Sequence, residues 1–120
     1  MATDNKCCTI VPYFLIAPGQ AKAFRALCEQ LVAKARNEKK CLYYGFSFDG
    51  ETAHCREGYV DAEGALAHLE NVSDLLDEVF KIVAMTRLEI HGPAEELDKL
   101  RGPLAELNPQ FFTLEYGFRR

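Results

Sequence analysis

The sequence lacks the features that mark membrane-spanning, secreted or nucleic-acid-binding proteins. No apolar run approaches the roughly 20 residues that a helix needs to cross a bilayer. The first residues, MATDNKCC, show no charged stretch followed by an apolar one, so no secretory signal is expected. Lys and Arg form no cluster and the net charge is −4, which argues against a surface that follows a phosphate backbone. We therefore expect neither a membrane nor a nucleic acid as partner.

Motifs for disulfides, metals and nucleotides are also missing. The five cysteines are odd in number and form no C-x-x-C pair, which favours reduced thiols in a cytoplasmic protein. The three histidines fall on different predicted elements, with no H-x-H or H-E-x-x-H spacing. No G-x-S-x-G, P-loop or dinucleotide fingerprint occurs. The sequence predicts no bound metal and no cofactor.

What is present predicts one folded domain over residues 1–120, of which 48% are apolar and 27% are charged. Residues 41–61 predict a β-hairpin, because Asp49-Gly50 separates two alternating runs and suits a type I′ turn. That turn pairs Phe48 with Glu51, Phe46 with Ala53, Tyr44 with Cys55, and Leu42 with Glu57. Alternation then places one apolar set towards the helices, namely Leu42, Tyr44, Phe46, Cys55 and Tyr59.

Two helical patterns flank this hairpin. Apolar residues recur at helical spacing over residues 20–39, and a second stripe follows Asp61, a suitable N-cap. Ser73 lies where the second helix is expected to kink or break. Further strands are predicted over residues 8–17, 85–91 and 111–118, with a bulge or an unpaired stretch at Pro12 and a short helix over residues 94–107. This order predicts an α+β fold: a ferredoxin-like split β-α-β sheet with an extra C-terminal short helix and strand.

The aromatic residues predict a homodimer. All of the 13 Phe and Tyr residues except Phe24 and Phe80 fall in or beside predicted strands. One helix layer cannot cover both faces of such a sheet, and monomers seldom expose a large apolar patch. We expect two chains to pack sheet against sheet; the alternative is a monomer whose C-terminal elements wrap over the second face.

Four segments carry a family pattern: TIVPYFLIAPG, AFRALCEQLVAKAR, REGYVDAEGALAHLENVSDLL and LEIHGP. With these segments the chain resembles the antibiotic biosynthesis monooxygenase-like domains of the dimeric α+β barrel superfamily over nearly its whole length. The resemblance implies a homodimer with a pocket between sheet and helices in each subunit. Some members oxidise polycyclic aromatics or quinols with dioxygen, without metal or flavin, and others degrade haem. The chain departs from the pattern at Ser73-Asp74, where a second histidine is often found, and in having no tryptophan.

His68 matches the helix-two histidine of that family and is the candidate catalytic base, because imidazole suits proton transfer near neutral pH. The alternative is a histidine at the core edge that binds backbone or water. Asn71, three residues on, either presents its amide to a substrate or only marks the helix break. His54 and Arg56 either contact substrate or form a polar seam between subunits. Tyr44 and Phe46 are expected to line the pocket.

Three functional hypotheses follow. The first is a cofactor-independent monooxygenase that deprotonates a small planar aromatic or quinol in an apolar pocket and lets the anion react with dioxygen. The second is a non-catalytic dimeric module that binds a small apolar molecule. The third is a haem-handling member of the family, against which the absence of tryptophan counts.

Overall fold

The structure is a computed structural model and describes residues 3–120. It confirms the predicted fold class, an α+β domain with helices on one face of a sheet. The elements in chain order are β1 (Cys8–Ile16), α1 (Ala21–Arg36), β2 (Cys41–Asp49), β3 (Thr52–Tyr59), α2 (Ala62–Asn71), α3 (Ser73–Val79), β4 (Val83–Gly92), α4 (Ala94–Arg101), a 3-10 helix (Ala105–Leu107) and β5 (Gln110–Thr113).

The strands form one sheet in the order β2-β3-β1-β4-β5. The first four strands pair antiparallel, as the ferredoxin-like prediction requires, and β5 adds to the edge parallel to β4. Helix α4 and the 3-10 helix make the crossover between these two parallel strands. β5 spans four residues, so the prediction of a strand through residue 118 was too long.

The hairpin forms where predicted, but its register differs from the prediction. Asp49 pairs with Thr52, so Gly50 and Glu51 make the turn and Tyr44 lies opposite Glu57 rather than Cys55. Gly50 has φ 59 and Glu51 is not in the left-handed region, as in a type II′ turn, which places glycine first. Because the partners move by two residues, the assignment of side chains to faces is unchanged.

Two irregularities adjust the sheet. A bulge between Cys41 and Tyr43 breaks the alternation at Leu42, which lies beside Val32 and Ala35 of α1 and also borders the opposite face of the sheet, so it is not confined to the face that meets the helices. In β1, the register against β4 shifts between Tyr13 and Phe14, directly after Pro12, so the predicted irregularity at this proline is confirmed. On the β3 side the ladder is interrupted at Val11 and Pro12, because proline has no N–H to donate. On the β4 side the extra residue is Thr86, whose hydroxyl donates to the Tyr13 carbonyl at 3.3 Å.

The second helix breaks at the predicted place. Asp61 caps α2 by accepting a hydrogen bond from the Gly64 N–H at 2.9 Å, and the helix ends at Asn71. Val72 is buried at the break, and Ser73 makes no side-chain cap for α3. Within residues 3–120, no helix is both long and apolar enough to cross a membrane.

The helices pack on the sheet through two apolar clusters. One lies under α2 and α4 and contains Tyr59, Ile90 and Leu100. The other lies under α1 and α3 and is built around Phe24 and Leu31. A small cavity lies between the two clusters, so both contribute to its walls.

Candidate functional site

The cavity lies between the helix-covered face of the sheet and the helices, and it is almost entirely apolar. Its volume is about 70 Å³. Tyr44, Phe46, Cys55, Glu57 and His68 form its polar and aromatic part. The aliphatic and remaining aromatic lining comes from Ile10, Pro12, Phe14, Leu31, Leu69, Leu76, Val79, Phe80, Met85, Leu88, Ile90, Leu104 and Leu107. Phe80 and Leu107 are 42% and 41% exposed, so they form its outer rim.

His68 is held rigidly at the inner wall. It lies on the buried side of α2, one turn after Ala65, and is 1% exposed. Its Nδ1 atom lies 2.8 Å and 3.0 Å from the two carboxylate oxygens of Glu38. The ring packs at 4.9 Å from the ring of Tyr44 and at 5.3 Å from that of Tyr59. Because a carboxylate only accepts hydrogen bonds, Nδ1 carries a proton, and Nε2 is then the nitrogen that holds the lone pair in the neutral imidazole.

Glu57 lies opposite Nε2. Its Oε1 atom is 3.6 Å from His68 Nε2 and accepts a hydrogen bond of 2.5 Å from the Tyr59 hydroxyl. The residue is 5% exposed, because β3 lies inside the sheet, between β2 and β1. Burial raises the pKa of the Glu57 carboxyl, although the neighbouring His68 opposes this shift. The protonated form of Glu57 is therefore favoured more than that of an exposed glutamate.

A second buried carboxylate shows why the environment of Glu57 is unusual. Glu96 is also buried, but it accepts a hydrogen bond from the Ala62 N–H at 3.0 Å and another from Lys99 at 3.2 Å. The Ala62 N–H holds the pKa of the Glu96 carboxyl below its usual value. Glu96 therefore stays ionised and anchors the start of α2, whereas Glu57 meets no lysine or arginine in the described hydrogen bonds and ion pairs.

The other polar groups of the wall are neutral donors. Burial raises the pKa of the Tyr44 phenol and that of the Cys55 thiol, so both groups stay protonated at neutral pH. Phe46 packs edge to face on Tyr44 with ring centroids 5.6 Å apart. These side chains surround the acid and the imidazole with low-dielectric material, which strengthens any charge interaction at the site.

The structure separates the predicted site residues into three groups. His68, Tyr44 and Phe46 line the cavity together. Asn71 lies outside the lining and donates to Glu38 Oε2 at 2.8 Å. His54 and Arg56 are on the opposite, helix-free face of the sheet and therefore cannot reach the cavity; the ring of His54 packs at 4.8 Å from that of Tyr13. We define this helix-free face by Thr9, Val11, Tyr43, His54, Arg56 and His91.

Sequence reasoning missed Glu57 and Glu38. Glu57 could have been recognised, since alternation places it among Ala53, Cys55 and Tyr59 on the face that meets the helices, where a carboxylate is unusual. Glu38 carries no such signal: it lies between α1 and β2, and only the packing of this loop on α2 brings it to His68. Within residues 3–120, no cluster of three or more His, Cys, Asp and Glu side chains has a geometry suited to a metal ion.

Comparison with solved structures shows close similarity to MupZ from Pseudomonas fluorescens. The two chains are 52% identical, the match covers 97% of this chain and 96% of that one, and the TM-score is 0.92. More distant structures include a candidate antibiotic biosynthesis monooxygenase from Chloroflexus aurantiacus, 21% identical with a TM-score of 0.62 over 74% of this chain and 94% of that one. Another candidate of the same description, from Caulobacter crescentus, is 18% identical with a TM-score of 0.65 over 72% and 88%.

No protein-family profile matches the chain, and no curated protein does. The two distant similarities show the fold alone, while the identity with MupZ extends over almost the whole of both chains. The protein therefore belongs to the same family as MupZ, and it shares its fold with the two candidate antibiotic biosynthesis monooxygenases.

Proposed function

We propose that this protein is an enzyme that carries out proton transfer on a small, largely apolar substrate in the His68 cavity. The observation that carries the proposal is the row of Glu38, His68 and Glu57: His68 and Glu57 line an otherwise apolar cavity, and Glu38 binds the imidazole from its outer side. Nε2 of His68 is the base, and Glu57 is the neighbouring acid. A base enclosed in a dry cavity acts on an acidic C–H or O–H without competition from water.

The reaction that agrees best with the fold is cofactor-independent monooxygenation of a planar aromatic or quinol. His68 removes one proton from an activated CH₂ group, and the carbanion reduces dioxygen. One oxygen atom becomes the carbonyl of the product, and the other leaves as water with both hydrogens. Solved structures of the same fold described as candidate antibiotic biosynthesis monooxygenases support this choice. Tyr44 and Glu57 donate hydrogen bonds to the anion that forms.

Substrate entry requires movement of the outer rim. A cavity of about 70 Å³ holds a few water molecules, whereas small-molecule sites are usually several hundred Å³. Phe80 and Leu107 are the exposed apolar rim residues, and Leu107 ends the 3-10 helix. We propose that a substrate inserts its reactive group towards His68 and leaves its apolar body between these two side chains.

Oxygen uptake tests this function. Purified protein is mixed with an anthrone-type substrate or a hydroquinone, and dioxygen consumption is followed together with product formation. His68→Ala is expected to lower the rate by about 10²-fold. Glu70→Gln is the control, because Glu70 is exposed on α2 and lies outside both the cavity and the helix-free face. Equal rates for His68→Ala and wild type would remove His68 from the role of base.

The raised pKa of Glu57 favours a second candidate, a non-oxidative acid–base reaction. An acid and a base 3.6 Å apart can give a proton to one atom of a substrate while taking one from another. Such a reaction needs no oxidant. Turnover of a substrate in the absence of dioxygen, lost in both His68→Ala and Glu57→Gln, would favour this candidate over oxygenation.

We further propose that the protein is a homodimer joined through the helix-free face. Support comes from exposed apolar residues on that side of the sheet: Leu15 and Tyr43 are each 47% exposed. A second copy of the same surface would cover them, and sheet-to-sheet packing suits this architecture.

In sedimentation velocity the wild type is expected to run as a dimer at micromolar concentration. Leu15→Asp should shift it towards the monomer, while Ala67→Asp on the exposed side of α2 should not; a monomeric wild type contradicts the proposal.

A further inference from the structure

Glu38 and Asn71 form a polar clamp on the outer side of His68. Glu38 Oε2 accepts from His68 Nδ1 at 2.8 Å and from Asn71 Nδ2 at 2.8 Å. Lys34 of α1 also binds Asn71 through two hydrogen bonds. The Lys34 Nζ atom donates to the Asn71 carbonyl at 3.1 Å, and Asn71 Nδ2 donates to the Lys34 carbonyl at 3.5 Å. Helix α2 and the loop after α1 therefore meet at one carboxylate, whose side chain is 12% exposed.

The geometry decides which ring nitrogen of His68 faces the cavity as a base. A carboxylate on Nδ1 fixes the proton there and fixes the plane of the ring. Without it, a neutral imidazole would distribute its proton between both nitrogens, and a proton on Nε2 would leave nothing to accept one from a substrate. Asn71 in turn satisfies and orients the carboxylate, since it shares the same oxygen atom.

We infer that Glu38, held by Asn71, is a positioning residue that fixes His68 in the Nδ1–H form and so presents Nε2 to the cavity. The inference deepens the proposed function and rests on it for its catalytic meaning, although the state of the ring is measurable without any substrate. Asn71 then has a role that differs from direct contact with substrate, because it acts through Glu38.

Other groups around the ring do not supply this selection. On the cavity side His68 faces Glu57 and the rings of Tyr44 and Tyr59. Glu57 is 3.6 Å from Nε2, beyond hydrogen-bond distance, and the Tyr59 hydroxyl is already bonded to Glu57. The two aromatic rings pack on the imidazole without a hydrogen bond to either nitrogen among those described. Glu38 is therefore the group that distinguishes the two nitrogens.

The test is nitrogen-15 NMR of the histidine rings in the full chain at pH 8. Wild type should show His68 with its proton on Nδ1 alone, identified by loss of that resonance in His68→Ala. Glu38→Ala should bring an Nε2–H population into view, and Asn71→Ala should do so to a smaller extent. Glu38→Gln keeps an acceptor oxygen and should keep the wild-type form. Glu70→Gln, on the exposed side of α2, is the matched control and should leave the spectrum unchanged.

Activity supplies the second readout. If a substrate is found, Glu38→Ala should lower kcat by up to about 10²-fold with little change in KM, because it misplaces the base rather than the binding surface. An unchanged His68 ring in Glu38→Ala, or a wild-type ring with a proton on Nε2, overturns the inference. A ring that responds as expected in a protein without turnover would instead count against the proposed function alone. If Glu38→Ala fails to fold, Asn71→Ala and Glu38→Gln decide the question.

Discussion

Replacing Glu57 with glutamine should remove a pH dependence of stability that the wild type carries. In the folded protein, burial raises the pKa of this carboxyl above the ordinary value of 4.5. Because the pKa of Glu57 is higher in the folded protein than in the unfolded chain, protonated Glu57 stabilises the fold. This contribution of Glu57 to the free energy of unfolding is complete below about pH 4.5 and is lost as the pH rises through the folded-state pKa. The glutamine side chain of the Glu57→Gln variant would keep a carbonyl oxygen for the Tyr59 hydroxyl but has no proton to lose.

The size of the effect follows from one proton. Where the folded protein holds the proton and the unfolded chain does not, stability changes by about 1.4 kcal/mol per pH unit. The unfolding free energy of wild type minus that of Glu57→Gln should therefore fall with rising pH, at up to that slope, and level off once the folded carboxyl ionises. Urea unfolding followed by circular dichroism between pH 4.5 and 8, at one fixed protein concentration and ionic strength, measures this difference.

Two controls isolate the carboxyl. Glu70→Gln removes an exposed carboxylate on α2 and should give a difference that hardly changes with pH. Repeating the comparison in a His68→Gln background separates Glu57 from its titratable neighbour, since Tyr44, Tyr59 and Cys55 stay neutral throughout this range. A difference that instead rises with pH would mean that Glu57 is ionised in the fold and paired with a charged His68. That result would refute the assignment of Glu57 as the acid.

Three predictions concern the framework that positions the site, each measured as a change in unfolding free energy. Gly64→Ala should destabilise by about 1 kcal/mol or more despite the higher helix propensity of alanine, because a Cβ would lie 2.8 Å from Lys40 Cβ; a stabilised variant would contradict this. Asp61→Ala should cost about 1 kcal/mol through the lost cap, whereas Asp61→Asn should cost less; equal losses would exclude capping as the cause. Leu100→Ala, at a fully buried position, should cost about 2–5 kcal/mol, and a loss below about 1 kcal/mol would mean that the cluster under α4 is loosely packed.

Local patterns determined the elements and their order. The alternation in β2 and β3, the helical spacing before and after the hairpin, and the N-cap at Asp61 are signals that act over a few residues. They were sufficient for the ferredoxin-like order and for placing Tyr44 and Phe46 on the helix face with His68. The predicted position of the turn was wrong by one residue. Asp49-Gly50 suits a type I′ turn and Gly50-Glu51 suits a type II′ turn, and a glycine is compatible with both.

The chemical environment of the site was decided by the tertiary structure. The sequence identified His68 as a candidate base, but its two carboxylate partners come from a loop 30 residues earlier and from a strand inside the sheet. Whether Glu57 meets a lysine, as Glu96 does, or only a tyrosine and a histidine depends on which elements pack together. The sequence determined which ionisable groups are available. Burial and neighbouring charge set the protonation of a carboxyl, so only the packing of β3, α2 and the loop after α1 decided that Glu57 is the acid, His68 the base and Glu38 part of the clamp.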